Sequence, residues 1–377
     1  MNLIIDGNAF VNVAISVTKA SNSRDRNHDE VFYVNDLFND DSYILKESIK
    51  LSFRNFCFTY LNSLIYPLGS SLDTVHIVFD SRSWRKDYVS DFFQSSDFAT
   101  KSAPSEFTYK GTRKTDSMHY LFFDYFHTLT DALANVCGVN IHKVAGTEGD
   151  DIIAYLCDTV DDDIAIYSVD QDMKQLVTSV GKNVMLMMPK QMHKFKRLFI
   201  PKTFSVKPKV EEDDFFSLDD SMIASTKIDQ IVATLEKKGY TALTTDNVPD
   251  IMSKVLLGDK SDNIPKIKGI TPTKFTKLLD KITDMYSDDL IQRLDRLDED
   301  LILSIVTEIG ILNKLKDPSQ LAEVRDHLIF NIIVMRLSVS VMPPEIKQNL
   351  ISWFDKFVTK PFSMQGFTSL KNNLSTL

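Results

Sequence analysis

The run GTEGDDIIAYLCDTVDDDIAIYSVDQD, residues 146–172, constrains this chain more than any other, because it sets acids at two chain reversals. Glu148, Asp150, Asp151, Asp170 and Asp172 are the candidate metal-ligating carboxylates within it. Thr147 precedes acidic residues and then IIAYL, so it is predicted as the N-cap of a helix whose positive end faces Glu148, Asp150 and Asp151. The following IAIYSV is apolar and bounded by polar residues. That is the pattern of a buried parallel strand, with Asp170 at its carboxyl end.

Ligands of an open parallel sheet bind outside the carboxyl ends of its strands, so an acid there points into the usual site rather than into a core. The placement repeats: Leu3-Ile4-Ile5 ends in Asp6, and Val75 to Phe79 ends in Asp80. One aspartate at a strand end is a common turn former. Three in one domain, facing an acidic helix start, indicate a shared pocket. So many like charges stay ionised together only if cations neutralise them. An all-oxygen donor set without a His or Cys cluster favours Mg²⁺ or Mn²⁺. Two such ions about 3.5 to 4 Å apart are a usual means of hydrolysing phosphodiesters.

A chain of 377 residues, 43% hydrophobic and 25% charged, can form a catalytic α/β body with an appended helical part. No run approaches the roughly 18 apolar residues of a membrane span, and the first ten residues lack the basic and apolar regions of a signal peptide. The expectation is a cytoplasmic monomer with no membrane contact. Cys57, Cys137 and Cys157 form no CxxC and suit reduced, buried thiols. The net charge of −9 hides an uneven distribution, because residues 182–209 carry only basic charges and an acidic loop follows at 211–220. A cationic binding face is therefore compatible with an anionic chain.

Further helices are predicted over 8–20, 42–66, 117–137 and 345–358, with strands at 139–144 and 183–188 and a possible pairing of 191–199 beside the latter. Residues 80–115 show no clean periodicity but interleave Arg85, Lys110 and Arg113 with Trp84, Tyr88, Phe92 and Tyr109, which suits a loop gripping a single strand. Residues 205–225 read as an exposed insertion and the last eighteen as a frayed terminus. A second informative stretch is LLGDKSDNIPKIKGITPTKFTKLL, residues 256–279. Asp259 and Asp262 lie three apart and can face one side. Pro265, Gly269 and Pro272 mark a hairpin whose backbone amides can hold a phosphate, with Lys266, Lys268 and Lys274 adding positive charge.

The segments IIDGNAF, VFDS with a following WRK, YKGTRK, EGDD, SVDQD and GDKSDNIPKIKGI, in that order, resemble the flap endonuclease-like 5′ nucleases, most closely the bacteriophage members, including ribonuclease H of the T-even type. The resemblance spans residues 1 to about 280. It implies a PIN-like parallel-sheet nuclease body at 1–200 with an arch or clamp at about 82–116, and an insertion and linker at 201–250. It further implies a helix–three-turn–helix DNA-binding part at 251–340, followed by a C-terminal helix and tail at 341–377. On the same resemblance Asp6, Asp80, Glu148, Asp150 and Asp151 serve a first metal and Asp170, Asp172, Asp259 and Asp262 a second. Lys110, Arg85 and Arg113 contact the scissile phosphate, Tyr109 stacks on a flanking base, and Lys114, Lys266, Lys268, Gly269 and Lys274 meet nucleic acid, with K⁺ at the hairpin. The implied activity is a 5′→3′ exonuclease and 5′-flap endonuclease on branched DNA and RNA/DNA duplex, with a single-stranded-DNA-binding protein or sliding clamp as partner. The alternatives are a branched-DNA-binding protein without turnover and a PIN-type endoribonuclease. Two departures stand out: the segment from Arg85 to Tyr109 is long, and the hairpin reads Gly269-Ile270-Thr271.

Overall fold

The computed structural model describes residues 1–22, 38–39, 44–95, 109–110, 117–178, 182–189, 196–201, 220–286 and 289–373. The chain begins with β1 (Asn2–Asp6), buried along its whole length, and turns directly into α1 (Gly7–Asn22). That turn is tight. A side chain at Gly7 would strike the Phe79 ring and the Val78 carbonyl, and the Asp6 carboxylate caps the new helix by accepting from the Ala9 N–H at 2.9 Å. A two-residue ribbon, β2 (Phe38–Asn39) and β3 (Ile44–Leu45), leads into α2 (Glu47–Ile65) and then β4 (Thr74–Val78).

After β4 come α3 (Trp84–Ser95), α4 (Ser117–Cys137), β5 (Asn140–His142), α5 (Gly149–Thr159) and β6 (Ile164–Tyr167). They are followed by β7 (Val184–Met188), β8 (Lys196–Pro201), α6 (Asp220–Lys237) and β9 (Tyr240–Thr245). The sheet order is β5-β4-β1-β6-β7-β8-β9, parallel except where β8 runs against β7. Asp6 lies level with Val78 and Ile5 with Tyr167, so the carboxyl ends of β4, β1 and β6 stand side by side.

One face of the sheet is covered by α1, α2 and α4 through Phe10, Phe53, Phe58, Phe122 and Phe126. The other is covered by α5 and α12 (Pro344–Lys356) through Ile152, Ile153, Ile346 and Leu350. The architecture is α/β, a mostly parallel sheet between two helical layers. A separate apolar core holds the helical part: α7 (Asn247–Leu257), α8 (Pro272–Tyr286), α9 (Leu290–Asp295), α10 (Glu299–Asn313) and α11 (Pro318–Met335). No helix among the described residues is long and apolar enough to cross a membrane.

Four sequence expectations change. Residues 84–95 are helical, with Trp84, Tyr88 and Phe92 on one stripe and Arg85, Val89 and Phe93 beside it. The stretch read as insertion and linker supplies α6 and the edge strand β9, whose Leu235 and Tyr240 join the sheet core. The C-terminal stretch forms α13 (Met364–Asn372), anchored by buried Phe367 and by the Phe362 N–H donating to the Asp73 carbonyl at 2.8 Å. Finally, Glu148 and not Thr147 is the N-cap of α5. The Glu148 N–H donates to Asp151 in a capping box, while the Thr147 hydroxyl donates back to Val144.

Candidate active site

Asp6 ends β1, Asp80 follows β4 by two residues and Asp170 follows β6 by three, so the register of three adjacent strands delivers one acid each to the same edge. Each is fixed by short hydrogen bonds. The Ser168 hydroxyl donates to Asp6 at 2.7 Å, the Gly149 N–H and the Asn8 amide donate to Asp80 at 2.7 and 2.6 Å, and the Asp172 N–H donates to Asp170 at 2.8 Å. Gly149 is needed at the start of α5 because its bare Cα packs against the Asp80 carboxylate.

The protonation pattern shows how tightly these acids crowd. Burial, reinforced by Asp80 and Asp170 and opposed by the Ala9 and Ser168 hydrogen bonds, pushes the Asp6 carboxyl up to about 6. Asp80 keeps open surface as a residue, yet dense packing around its carboxyl raises it, with Glu148 and Asp151 adding and the Gly149 N–H and Lys110 opposing. Asp150 is pushed well above the usual carboxylate range by burial and then by Asp170, Asp6 and Glu148. Burial, then Asp170, also raises Asp172 against the pull of Lys254. Among the described residues no ion-pair partner lies within 4.0 Å of Asp6, Asp80, Asp150 or Asp170.

Glu148 and Asp151 behave differently. Arg85, 2% exposed, donates from Nε to the Val334 carbonyl at 3.0 Å and pairs through Nη1 with Asp151 at 2.8 Å and Glu148 at 3.3 Å. The remaining Asp151 oxygen accepts from the Trp84 indole and the Glu148 N–H, both at 3.0 Å. Asp151 is thus a fully buried structural carboxylate turned toward Arg85, and Arg85 stands behind the acids and not in front of a phosphate. Burial alone would raise Glu148, but Arg85 and Lys110 hold it below the usual range. Lys110 Nζ reaches Glu148 Oε1 at 2.6 Å, its backbone N–H donates to the Asp262 carbonyl at 3.2 Å, and its φ of 55° is left-handed, so both ends of this residue are pinned.

Tyr109 is 6% exposed, with its ring among Val89, Phe93, Ile264 and Phe330 and its hydroxyl 3.3 Å from Glu148 and 3.4 Å from Asp262. A ring so enclosed has no free face for a base. The same holds for Tyr88 and Phe92, which stack on Phe330 and so serve packing where the sequence suggests a strand-gripping loop. Arg113 and Lys114 lie outside the described residues, as do 96–108 and 111–116 of the expected arch.

The hairpin between α7 and α8 brings the last two acids. Gly258, at φ 70°, lets the chain fold back against Ile264 and Pro265 where any side chain would collide, and the Asp259–Ile264 bridge closes the turn. Lys254 on α7 is gripped by Asp172 and by Asp259, the latter at 2.7 Å. Although burial opposes it, Lys254 together with Ser261 brings Asp259 down to about 2. Sequence reasoning missed Lys254, and its signal was there: a lysine five residues before Asp259 on a helix that runs into the acidic hairpin. Lys266, Lys268 and Gly269 are exposed, whereas Lys274 Nζ donates to the Gly269 carbonyl at 3.2 Å and to Asn313 at 2.6 Å. An ammonium group therefore already neutralises the hairpin carbonyl where the resemblance implies K⁺.

Electrostatic coupling links Asp6 to Asp80 and Asp170, Asp150 to Asp6, Asp170 and Glu148, and Asp172 to Asp170 and Asp259, while Asp262 meets the group through Tyr109 and Lys110. The acids converge. Among the described residues no three of them enclose a single point as arranged, and two ammonium groups, Lys110 and Lys254, are paired with acids of the group. Carboxylate oxygens with raised protonation and no ion-pair partner are the donor chemistry that suits a hard divalent ion.

A family model described as the 5′-3′ exonuclease N-terminal, resolvase-like domain matches residues 52–207. Over those residues the chain is similar to the N-terminal domain of 5′-3′ exonucleases. The chain is 26% identical over 152 residues to a 5′-3′ exonuclease of Aquifex aeolicus, covering 40% of this chain and 38% of the relative. It is 30% identical over 148 residues to a DNA polymerase I of Caldicellulosiruptor bescii, covering 31% of this chain and 17% of that one. The chain thus spans well under half the length of the curated relatives it matches. Among solved structures, the T5 D15 protein co-crystallised with metal ions aligns at a TM-score of 0.48 and 16% identity, over 94% of this chain and 97% of that one. A bacteriophage T5 flap endonuclease complex with DNA and metal ions aligns at 0.45 and 14%, over 100% and 98%.

Proposed function

We propose that this chain is a divalent-metal-dependent 5′→3′ exonuclease and 5′-flap endonuclease that cleaves RNA primers or DNA flaps, with branched DNA and RNA/DNA duplex as substrates. The observation that carries the reading is the convergence of acids from three adjacent strand ends, one helix start and one hairpin into a single coupled group. Asp6, Asp80, Asp150 and Asp170 are the residues to hold a first Mg²⁺ or Mn²⁺. Asp170, Asp172, Asp259 and Asp262 are those to hold a second. When bound, such ions supply charge neutralisation and activation of water for in-line attack on phosphorus.

The remaining work falls to this chain's own groups. Glu148, fixed from behind by Arg85, holds the Lys110 ammonium at the rim of the acidic pocket, where it can offset charge on the attacked phosphate. Lys266 and Lys268 on the exposed hairpin are placed to meet duplex phosphates, and backbone amides there can add to the grip. Product mapping on a 5′-labelled flap and on an RNA-primed duplex, with and without EDTA, tests the proposal. Cleavage in Mg²⁺ that EDTA and Asp150→Asn both abolish, with DNA binding retained by the variant, is the expected result. Undiminished cleavage in EDTA rejects it, and binding without any turnover leaves a branched-DNA-binding protein.

A further inference from the structure

The acidic pocket has an asymmetry that the family reading does not explain. Around Asp6, Asp80, Asp150 and Asp170 no lysine or arginine among the described residues comes within ion-pair distance, while on the hairpin side one ammonium group is held by two of the acids assigned to the second ion. Lys254 Nζ contacts Asp172 Oδ1 and Asp259 Oδ2, and the other Asp259 oxygen accepts from the Ser261 N–H at 2.7 Å and the Ser261 hydroxyl at 2.6 Å. Both Asp259 oxygens are therefore engaged, and so is one from Asp172.

These two acids come from different parts of the chain, one after β6 and one after α7, and Lys254 is what ties them together. A lysine is suited to such a role because its charge rides on a flexible four-carbon stem and can withdraw without moving the backbone. Lys254 is about a quarter exposed, so an exit toward solvent exists.

We infer that Lys254 is an internal competitor for the second divalent ion: its ammonium group occupies the Asp172–Asp259 position, and the second ion binds only as Lys254 leaves. This rests on the metal-dependent reading above. It implies that the two ions bind with separated affinities, the first unaffected by Lys254 and the second set by it. The freed ammonium is then available to the phosphate side of the cleft, so Lys254 acts as a positioning residue and does not itself take part in the chemistry.

The test is a Mn²⁺ titration of the whole chain followed by electron paramagnetic resonance of the free ion. The wild type is expected to show one tight and one weak class of Mn²⁺. Lys254→Met is expected to tighten the weak class at least tenfold and to leave the tight class unchanged, whereas Lys254→Arg keeps the wild-type separation. A weak class that is unchanged or weaker in Lys254→Met overturns the inference while leaving the nuclease reading intact. Absence of any tight class in the wild type overturns both. A second measurement needs no variant: acetylation of Lys254 by an amine-reactive reagent, followed by mass spectrometry, is expected to rise severalfold when saturating Mn²⁺ replaces EDTA. Unchanged or reduced labelling overturns the inference independently.

Discussion

Burying acids costs the folded protein free energy, and Asp6, raised chiefly by burial and further by Asp80 and Asp170, gives a measure of it. Its carboxyl rises from an ordinary 3.8 to about 6 in the folded chain. At roughly 1.4 kcal/mol for each pH unit, ionised Asp6 therefore costs the metal-free protein about 3 kcal/mol at pH 7.5. Asp6→Asn removes that charge and keeps an acceptor for the Ala9 N–H, while the Ser168 hydroxyl can turn to accept from the new amide. Allowing about 1 kcal/mol for weaker hydrogen bonds to a neutral group, the variant should be more stable than wild type by about 2 kcal/mol.

The pH dependence makes the test specific. Because the folded value is raised, the folded state binds the extra proton, and the penalty is absent below about pH 4, grows between about 4 and 6 and is full above that. At pH 5 only about half remains. Urea titrations in EDTA, followed by intrinsic fluorescence at pH 5 and pH 7.5, read the difference directly, and other titrating groups cancel between the two proteins. Mg²⁺ should then stabilise wild type more than the variant. A variant less stable than wild type at pH 7.5 in EDTA, or a gap that does not widen with pH, refutes the picture of Asp6 as a crowded, uncompensated acid.

Arg85→Gln is expected to lower stability by about 3 to 5 kcal/mol, since it strands the fully buried Asp151 and leaves Glu148 on Lys110 alone. Lys110→Ala should lower stability by about 1 to 3 kcal/mol, since buried Glu148 is left with Arg85 alone, and remove most cleavage; equal melting curves for wild type and the Arg85 variant would contradict the buried placement. The stacked pair His76 and His142, 2.9 Å apart and topped by the Trp353 indole, is depressed by burial to about 4 and about 3. Stability from each is full above the unfolded 6.5 and lost as pH falls toward the folded values, about 2 kcal/mol apiece by pH 5. In the same urea assay His142→Phe should flatten that acid limb, and an unchanged limb would count against it.

Strands β1, β4 and β6 and their terminal acids were readable because a run buried on both faces leaves an unbroken apolar word, and an aspartate at its end has few other reasons to recur. The acids of the hairpin were readable because Asp259 and Asp262 lie three apart just ahead of Pro265, Gly269 and Pro272, which mark a turn. Helix α3 escaped notice because it is buried on two adjacent stripes, Trp84-Tyr88-Phe92 and Arg85-Val89-Phe93, so its polar face is narrow and the period is blurred. Strand β9 alternates weakly, with Tyr240 its one buried residue, and is held by pairing with β8 more than by its own pattern. Lys254 and Arg85 were misjudged or missed for one reason: a sequence shows which residues are charged but not which charge each one faces.

The site also explains why the helical part is docked where it is. Seven of the nine acids belong to the sheet part and two, Asp259 and Asp262, arrive on the hairpin, so repulsion between them acts as a load on the joint between the two parts. That joint is apolar: Val89, Phe93, Tyr109, Ile264, Phe330, Val334 and Met335 form one cluster, with Phe92 and Phe330 stacked at 4.1 Å between α3 and α11. Arg85 crosses it to the Val334 carbonyl, Tyr109 spans Glu148 and Asp262, and Asn331 on α11 holds the Val255 and Pro265 carbonyls that flank the hairpin. Apolar packing therefore opposes the repulsion together with Arg85 and with Lys254, which bridges Asp172 and Asp259. On the proposed two-ion reading, a change that loosens this cluster is expected to weaken the second cation position before the first, because only the hairpin acids depend on the joint for their place.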